Sequence, residues 1–256
     1  MPLAPRSIFV VVVLLPRACW SFAPLAPLWQ IDAIRTTFHS ALHATTSTAT
    51  NNNNNNNNSN NNAEFDYQEM RAQLEAMERQ RVASKDLSLV KREEIQQYIA
   101  NVATNRPSTI PLTEIARVLP NTKWRLTFST QEATLGDLPR DATVFLEFHD
   151  DNLVNYILEF SEATFGLNRL AAKSSYVVDR VQNPGLVTFV YKDIVTDIFG
   201  MKNIGVGFFG LLKGRANYVE SIFMDGRFWI ERGYTVDGKG TYYNVYMKQG
   251  VGRGQY

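Results

Sequence analysis

The sequence predicts a mainly β fold, an antiparallel up-and-down β-barrel of about eight strands with helices ahead of it. Beyond residue 111, apolar side chains recur at every second position in one segment after another, and turn-forming residues separate the segments. The composition agrees with this prediction. A chain with 45% apolar and 20% charged residues is typical of a globular protein, which excludes a collagenous, wholly disordered or polytopic membrane protein.

The first 62 residues are interpreted as a leader and a linker. Residues 1–21 have the pattern of a signal peptide, since Arg6 precedes an apolar run, 8–15, that is too short to span a bilayer. Residues 22–50 are poor in acids and rich in Ser, Thr and Ala, as transit peptides are. Residues 51–62 contain eleven Asn and one Ser, which predicts a disordered linker.

The two-part leader predicts a location. With Phe22-Ala23-Pro24 directly after the expected cleavage point, it resembles the presequence of plastid proteins in algae that have a secondary plastid. We therefore expect import into the plastid after removal of the signal peptide and the transit peptide. A plain secreted protein is the alternative.

Residues 63–111 predict N-terminal helices. Met70, Leu74 and Met77 recur at the spacing of one helical face, and a second helix ends near Asn105 because the residue before a proline avoids helical geometry. The apolar face of the second helix is predicted to carry Leu87, Val90, Ile95, Tyr98, Ile99 and Val102. We expect both helices to pack on the β domain, residues 112–256.

The predicted strands cover 123–129, 143–148, 153–160, 175–181, 186–191, 217–224, 227–232 and 241–248. Short turns join several of them, at Asp150-Asp151-Asn152, Asn183-Pro184-Gly185, Asp225-Gly226 and Asp237-Gly238. Such turns favour antiparallel neighbours, because Gly and Asn tolerate the positive φ of a tight hairpin. A two-sheet sandwich is the alternative to the barrel, since periodicity does not separate the two.

Residues 192–215 are predicted to be a long loop rich in Gly and apolar residues. Long loops in compact domains are often lids or binding elements. Beside a barrel mouth, this one would suit entry of a hydrophobic ligand or contact with a lipid surface. Packing against the first helices is the equally open alternative.

Several kinds of chemistry are excluded or disfavoured. The net charge of +1 indicates no nucleic-acid partner, and the single cysteine, Cys19, lies in the leader. Residues 205–210 spell GxGxxG, but a strand pattern follows them instead of the helix that a dinucleotide site needs. His149 is the one histidine after residue 62, so no zinc hydrolase site forms. We predict no catalytic residues, no metal site and no cofactor.

The segment Leu119-Pro120-Asn121-Thr122-Lys123-Trp124-Arg125-Leu126-Thr127-Phe128-Ser129-Thr130 resembles the opening of the plastid lipid-associated protein family, the plastid fibrillins. The segment Asp225-Gly226-Arg227-Phe228-Trp229-Ile230-Glu231-Arg232-Gly233 is similar to that family's closing motif. The resemblance covers residues 88 to 248, although Trp229 stands where the family often has a basic residue. Its motif positions here are Trp124, Asp225, Arg232 and Gly233.

The resemblance implies a lipocalin-like barrel that binds isoprenoid or acyl lipids, such as quinones or carotenoids, at plastoglobules or thylakoids, without catalysis. Inward apolar side chains would line the cavity: Trp124, Leu126, Phe128, Phe148, Tyr156, Phe189 and Phe228. The same side chains would equally fill a solid core. For Asp225 and Arg232, a turn acid and a salt bridge are the alternatives to ligand contact.

Two other functions stay open. One is a barrel isomerase or cyclase of plastid lipid or pigment metabolism, with Glu147 or Glu159 acting on an apolar substrate. A carboxyl with a raised pKa inside the barrel would favour that reading. The other is an assembly or interaction factor for thylakoid complexes, which would use the N-terminal helices and a barrel without a ligand.

Overall fold

The fold is described from a computed structural model, for residues 56–80, 82, 84–130, 142–164, 166–206, 213–234 and 240–250. Three helices precede the sheet: α1 (Asn56–Gln80), α2 (Leu89–Asn105) and the short α3 (Ile115–Val118). Two 3-10 turns lie between them, at Ser84–Asp86 and Leu112–Glu114. The predicted signal and transit peptides lie outside the described residues, as does the predicted Asp237-Gly238 turn.

Nine strands follow. They are β1 (Thr122–Ser129), β2 (Ala142–Phe148), β3 (Leu153–Thr164), β4 (Leu167–Val178), β5 (Leu186–Ile198), β6 (Met201–Gly205), β7 (Ala216–Met224), β8 (Phe228–Tyr234) and β9 (Thr241–Gln249). All their pairings are antiparallel. The mainly β, antiparallel fold class is therefore confirmed.

Eight of the strands are hydrogen-bonded in a closed ring. The pairing runs from β1 through β2, β3, β4 and β5 to β7, β8 and β9, and β9 pairs back onto β1. β6 lies outside the ring, since it pairs with the second half of β5 while β7 pairs with the first half. Antiparallel order gives the ring two distinct ends: Trp124, Phe148 and Trp229 lie toward one, and Ser129 and Ala142 toward the other.

The helices pack on the outer face of the ring. Buried side chains of α1, Tyr67, Met70, Leu74 and Met77, join those of α2 and of strands β1, β7, β8 and β9 in one cluster. The packing of both helices on the β domain is thus confirmed. On α2, Ile95, Ile99 and Val102 are buried as predicted, but Val90 is exposed because it lies in the first turn.

Helix α1 begins at Asn56, inside the segment predicted to be a disordered linker. That prediction is wrong for residues 56–62, which continue the helix upstream of Ala63. Asn has low helix propensity, so composition pointed the other way. Once packing holds a helix in place, however, each added residue gains one hydrogen bond without a new nucleation cost.

The long loop predicted at 192–215 is also partly wrong. β5 continues to Ile198, and a tight turn at Phe199-Gly200, with φ of 51° and 76°, leads into β6. The alternation of apolar and polar residues along β5 is interrupted near Asp193, because the pairing of β4 with β5 shifts register between Lys173 and Ser174. Residues 207–212 lie outside the described residues.

Candidate functional site

Aromatic rings fill one end of the ring of strands. Phe148 on β2 lies 5.8 Å from Trp229 on β8, 5.0 Å from Tyr176 on β4 and 6.5 Å from Phe189 on β5, centroid to centroid. Trp229 in turn contacts Trp124 at 5.8 Å. Contacts between strands that are not neighbours are possible only on the inner face. We call this end the aromatic end.

The aromatic end is closely packed, and both of its indole N–H groups are paired. Ile115 and Leu119, in and next to α3, pack with the same cluster, and Trp124 and Trp229 have no exposed surface. The Trp124 indole N–H donates to Thr122 Oγ1 at 2.7 Å, and the Trp229 indole N–H donates to Ser221 Oγ at 3.0 Å. The result is an apolar plug in which both indole donors are satisfied, whereas the buried Tyr176 hydroxyl has no hydrogen-bond partner among the described residues.

Toward the opposite end, inward side chains become half-buried. The inner face of β2, β3 and β4 carries Val144 and Leu158, which are buried. Around them lie inward side chains that retain part of their exposure, Leu126, Ala142, Tyr156, Phe160 and Leu170. We call this the open end. Among the described residues, burial of the inward side chains therefore falls from the aromatic end toward the open end.

Five of the seven predicted lining residues face the interior: Trp124, Leu126, Phe148, Tyr156 and Phe189. Phe128 and Phe228 lie instead in the cluster under the helices, so their assignment to the lining is wrong. For Phe128 the cause is a β-bulge between Leu126 and Phe128, which reverses the alternation. Phe228 faces outward because its neighbour Trp229 faces inward.

A buried carboxyl lies on the inner face between the aromatic end and the open end. Glu231 on β8 is 3% exposed, and its Oε1 accepts hydrogen bonds from Asn244 Nδ2 at 2.6 Å and from the Tyr246 hydroxyl at 3.1 Å. Burial raises the pKa of Glu231 to about 7, although these two hydrogen bonds oppose the shift. The group therefore titrates near neutral pH.

Tyrosines surround this carboxyl. Burial, followed by the charge of Glu231, raises the pKa of Tyr242 to about 12 and that of Tyr246 well above its ordinary value. Both hydroxyls therefore stay protonated. Tyr242 also lies over Gly233, where a Cβ would overlap the far end of its ring, so any side chain at this position would force the ring to move.

The motif positions Asp225 and Arg232 make structural contacts. Asp225 Oδ1 accepts from the backbone N–H groups of Arg227 and Phe228 at 2.9 and 2.7 Å, as a turn acid does. Arg232 pairs with Glu220 through two hydrogen bonds, at 3.0 and 2.7 Å. Trp124 is part of the aromatic end. The turn-acid and salt-bridge alternatives are what the structure shows.

Asp225 also fixes the helices to the sheet. Tyr67 on α1 donates its hydroxyl to Asp225 Oδ2, and burial followed by this bond raises the pKa of Tyr67 to about 12. The Arg106 guanidinium at the end of α2 lies 3.7 Å from the centroid of the Tyr67 ring. One turn of the sheet and both long helices therefore meet at Tyr67.

The two carboxylates considered for catalysis face outward. Glu159 pairs with Lys123 at 3.2 Å, and Glu147 lies 3.9 Å from His149. His149 Nε2 is also 2.9 Å from Asn155 Nδ2. Outer-face positions of β1, β2 and β3 hold Lys123, Glu147, Asn155 and Glu159, and His149 directly follows β2. They do not touch the interior, so neither carboxylate reaches a ligand held there.

Sequence reasoning missed Glu231, the one acid that the described part of the chain places inside the ring. The signal was present: residues two apart in a strand share a face, so an inward Trp229 places Glu231 inward too. It was obscured because β8 is apolar on both faces, one covered by helices and the other by the aromatic end.

Comparison with known proteins adds no assignment. No protein-family model matches the sequence, and no curated protein matches it either. Among the described helices, none combines the length and the apolar character needed to cross a membrane.

Proposed function

We propose that this chain is a plastid lipid-associated, fibrillin-like protein that binds a hydrophobic lipid without catalysis, at plastoglobules or thylakoids. In this proposal the ring of strands is a lipocalin-like β-barrel, not a two-sheet sandwich. The observation that carries it is the gradient of burial inside the ring, from the closely packed aromatic end to half-buried apolar side chains at the open end.

The chemistry of the interior suits an isoprenoid or acyl lipid. Ligand sites of this kind are mostly apolar and carry a small number of polar groups that orient the ligand. Here the open end supplies aliphatic and aromatic side chains, and Glu231 with Asn244 supplies the polar group. The resemblance of residues 119–130 and 225–233 to the plastid fibrillins supports the same ligand class.

The direct test is native mass spectrometry of the purified chain after incubation with a plastid lipid extract. We expect one isoprenoid or acyl lipid per chain. Leu170→Glu places a charge on the inner face of β4 and should abolish binding, whereas Val177→Glu on the exposed outer face of the same strand should not. A lipid-free mass, or equal lipid content in both variants, would contradict the proposal.

The plastid location has its own test. Residues 1–62 fused to a fluorescent protein should direct it to the plastid of an alga with a secondary plastid. Deletion of residues 22–50 from the fusion should leave the protein in the secretory route. Secretory fluorescence from the intact leader would overturn the location.

A second candidate is the barrel isomerase or cyclase, and one observation favours it. Glu231 is an interior carboxyl whose pKa lies near 7, where a general acid or base works best at neutral pH. It replaces Glu147 and Glu159 in that hypothesis. Chemical conversion of the recovered lipid by the native chain, absent with Glu231→Gln, would establish the enzyme and contradict the non-catalytic proposal.

A further inference from the structure

Three buried side-chain oxygen atoms inside the ring have no hydrogen-bond partner among the described residues. One is Tyr176 Oη at the aromatic end, and the other two, Glu231 Oε2 and Asn244 Oδ1, lie side by side on β8 and β9. Glu231 is 3% exposed and Asn244 is 7% exposed. Leaving a buried polar atom unpaired costs about 1–3 kcal/mol, so native structures rarely keep two together without a use for them.

The two residues form one unit. Glu231 on β8 and Asn244 on β9 are direct cross-strand partners. Glu231 Oε1 accepts both hydrogen bonds that the carboxyl receives, from Asn244 Nδ2 and from the Tyr246 hydroxyl. Glu231 Oε2 and Asn244 Oδ1 accept none, so each has room for a bond from a third group. The register places the pair one inward position beyond Trp229 and Tyr246 toward the open end, at the level of Ser129. The head of a ligand that enters from the open end and stops against the aromatic plug would therefore lie beside it.

We propose that the Glu231–Asn244 pair binds the hydroxyl group of a long-chain neutral alcohol, such as a prenyl alcohol, with the hydroxyl innermost. This inference rests on the proposed lipid-binding function and names the head group that the same site selects. A hydroxyl suits the two free oxygens because it donates one hydrogen bond and accepts another. It donates to Asn244 Oδ1 and accepts from a protonated Glu231, or it donates to Glu231 when that carboxyl is ionised.

Other head groups satisfy the pair less well. A ketone or quinone oxygen only accepts, so Asn244 Oδ1 would stay unpaired beside it. A fatty-acid carboxylate would place a second negative charge next to Glu231, and the partners of that carboxyl, Asn244 and Tyr246, are neutral. Like charges at short range in a dry site are strongly unfavourable. The Glu231–Asn244 pair therefore favours a ligand head group that can donate a hydrogen bond and that carries no negative charge.

The test uses two probes of the same chain length, geranylgeraniol and its methyl ether, competing with Nile red for the purified full chain. The ether keeps the apolar chain and the acceptor but loses the donor. We expect the alcohol to bind about tenfold more tightly than the ether, which corresponds to one net hydrogen bond. The double variant Glu231→Met/Asn244→Leu should bind both equally, while retaining affinity for the ether.

Replacing Glu231 and Asn244 by apolar groups of similar size keeps the core filled. The Tyr246 hydroxyl loses its acceptor, a cost of about 1–3 kcal/mol, and the double variant is expected to fold with that loss. Glu159→Gln on the outer face is the matched control and should keep the tenfold preference. If both probes bind the native chain equally, the head-group inference falls and lipid binding stands. If neither probe nor Nile red binds, the proposed function falls as well.

Discussion

Gly233 shows how one missing side chain permits the packing of the inner face. A Cβ on Gly233 would overlap the Tyr242 ring, whereas a Cβ on Gly205 in β6 would meet nothing within 4 Å. We predict that Gly233→Ala lowers the free energy of unfolding by about 1–3 kcal/mol through overpacking. Gly205→Ala, the matched control, should change it by less than about 0.5 kcal/mol. Urea denaturation measures both, and equal effects would show that Tyr242 adapts freely.

Glu231 predicts a pH dependence of stability. Its pKa in the folded protein is about 7, above the ordinary value of 4.5, so the folded state holds a proton that the unfolded state releases. Stability should therefore fall as pH rises from about 4.5 through 7 and level off above. The full penalty is about 3 kcal/mol, or roughly 6–12 °C in Tm.

Glu231→Gln should remove this slope and raise Tm at pH 8, because a neutral amide replaces the carboxyl. Thermal unfolding between pH 5 and pH 8 measures it. Glu159→Gln should leave the slope unchanged, since Glu159 lies on the outer face beside Lys123. A native protein equally stable at both pH values would show that Glu231 does not titrate in this range.

At the scale of elements, strand β1 serves two layers because of its bulge. Trp124 and Leu126 face the interior, and Phe128 faces the helices. We predict that Phe128→Ala destabilises the protein by about 3–5 kcal/mol while the folded fraction keeps its lipid affinity. Denaturation together with lipid binding measures the two effects. Loss of affinity per folded chain would mean that Phe128 contacts the ligand.

The attachment of helix α1 depends on Tyr67. We predict that Tyr67→Phe lowers the free energy of unfolding by about 1–2 kcal/mol, since Asp225 Oδ2 loses its donor. Tyr98→Phe is the control, because the part-buried Tyr98 hydroxyl bonds Glu94 on the same helix and this bond joins no other element. Hydrogen exchange should show faster opening of α1 in the first variant only.

For the whole molecule, we expect the closed ring of strands to make unfolding cooperative. Val245 lies in β9, which closes the ring onto β1, while Ile204 lies in β6, outside the ring. We predict that Val245→Pro unfolds the protein, because proline removes a ladder donor from an interior strand. Ile204→Pro should leave a cooperative transition. Val245→Ala controls for the lost side chain, and circular dichroism on heating measures all three.

Much of the fold was readable from the sequence because β1, β2 and β3 are buried on one face over most of their length. The turns at Asn152, Gly185 and Gly226 were readable too, since each adopts the positive φ that those residue types allow. Where both faces of a strand are covered, as in β8, apolar and polar residues no longer alternate along the sequence. The inward orientation of Glu231 could therefore not be predicted from the pattern.

The lining of the interior was predicted in part for a related reason. Along a strand without a bulge, every second side chain faces the same side, so the pattern correctly placed Tyr156 and Phe148 in the interior. A bulge shifts the count by one residue, so Phe128 moved to the other face, and local sequence carries no clear mark of that shift. The hydrogen-bond partners of Glu231 depend on the cross-strand register, which no single segment specifies.

The contact between Trp124 and Trp229 provides an intrinsic spectroscopic probe of the ring of strands. Their indoles lie 5.8 Å apart at 75°, close enough for their excited states to couple. They are two of the four tryptophans of the chain, and Trp20 and Trp29 lie in the segment that the sequence predicts to be a leader. In a chain without residues 1–62, near-ultraviolet circular dichroism would therefore come largely from this rigid pair of chromophores. The arrangement of the aromatic end would then be visible in solution without any attached label.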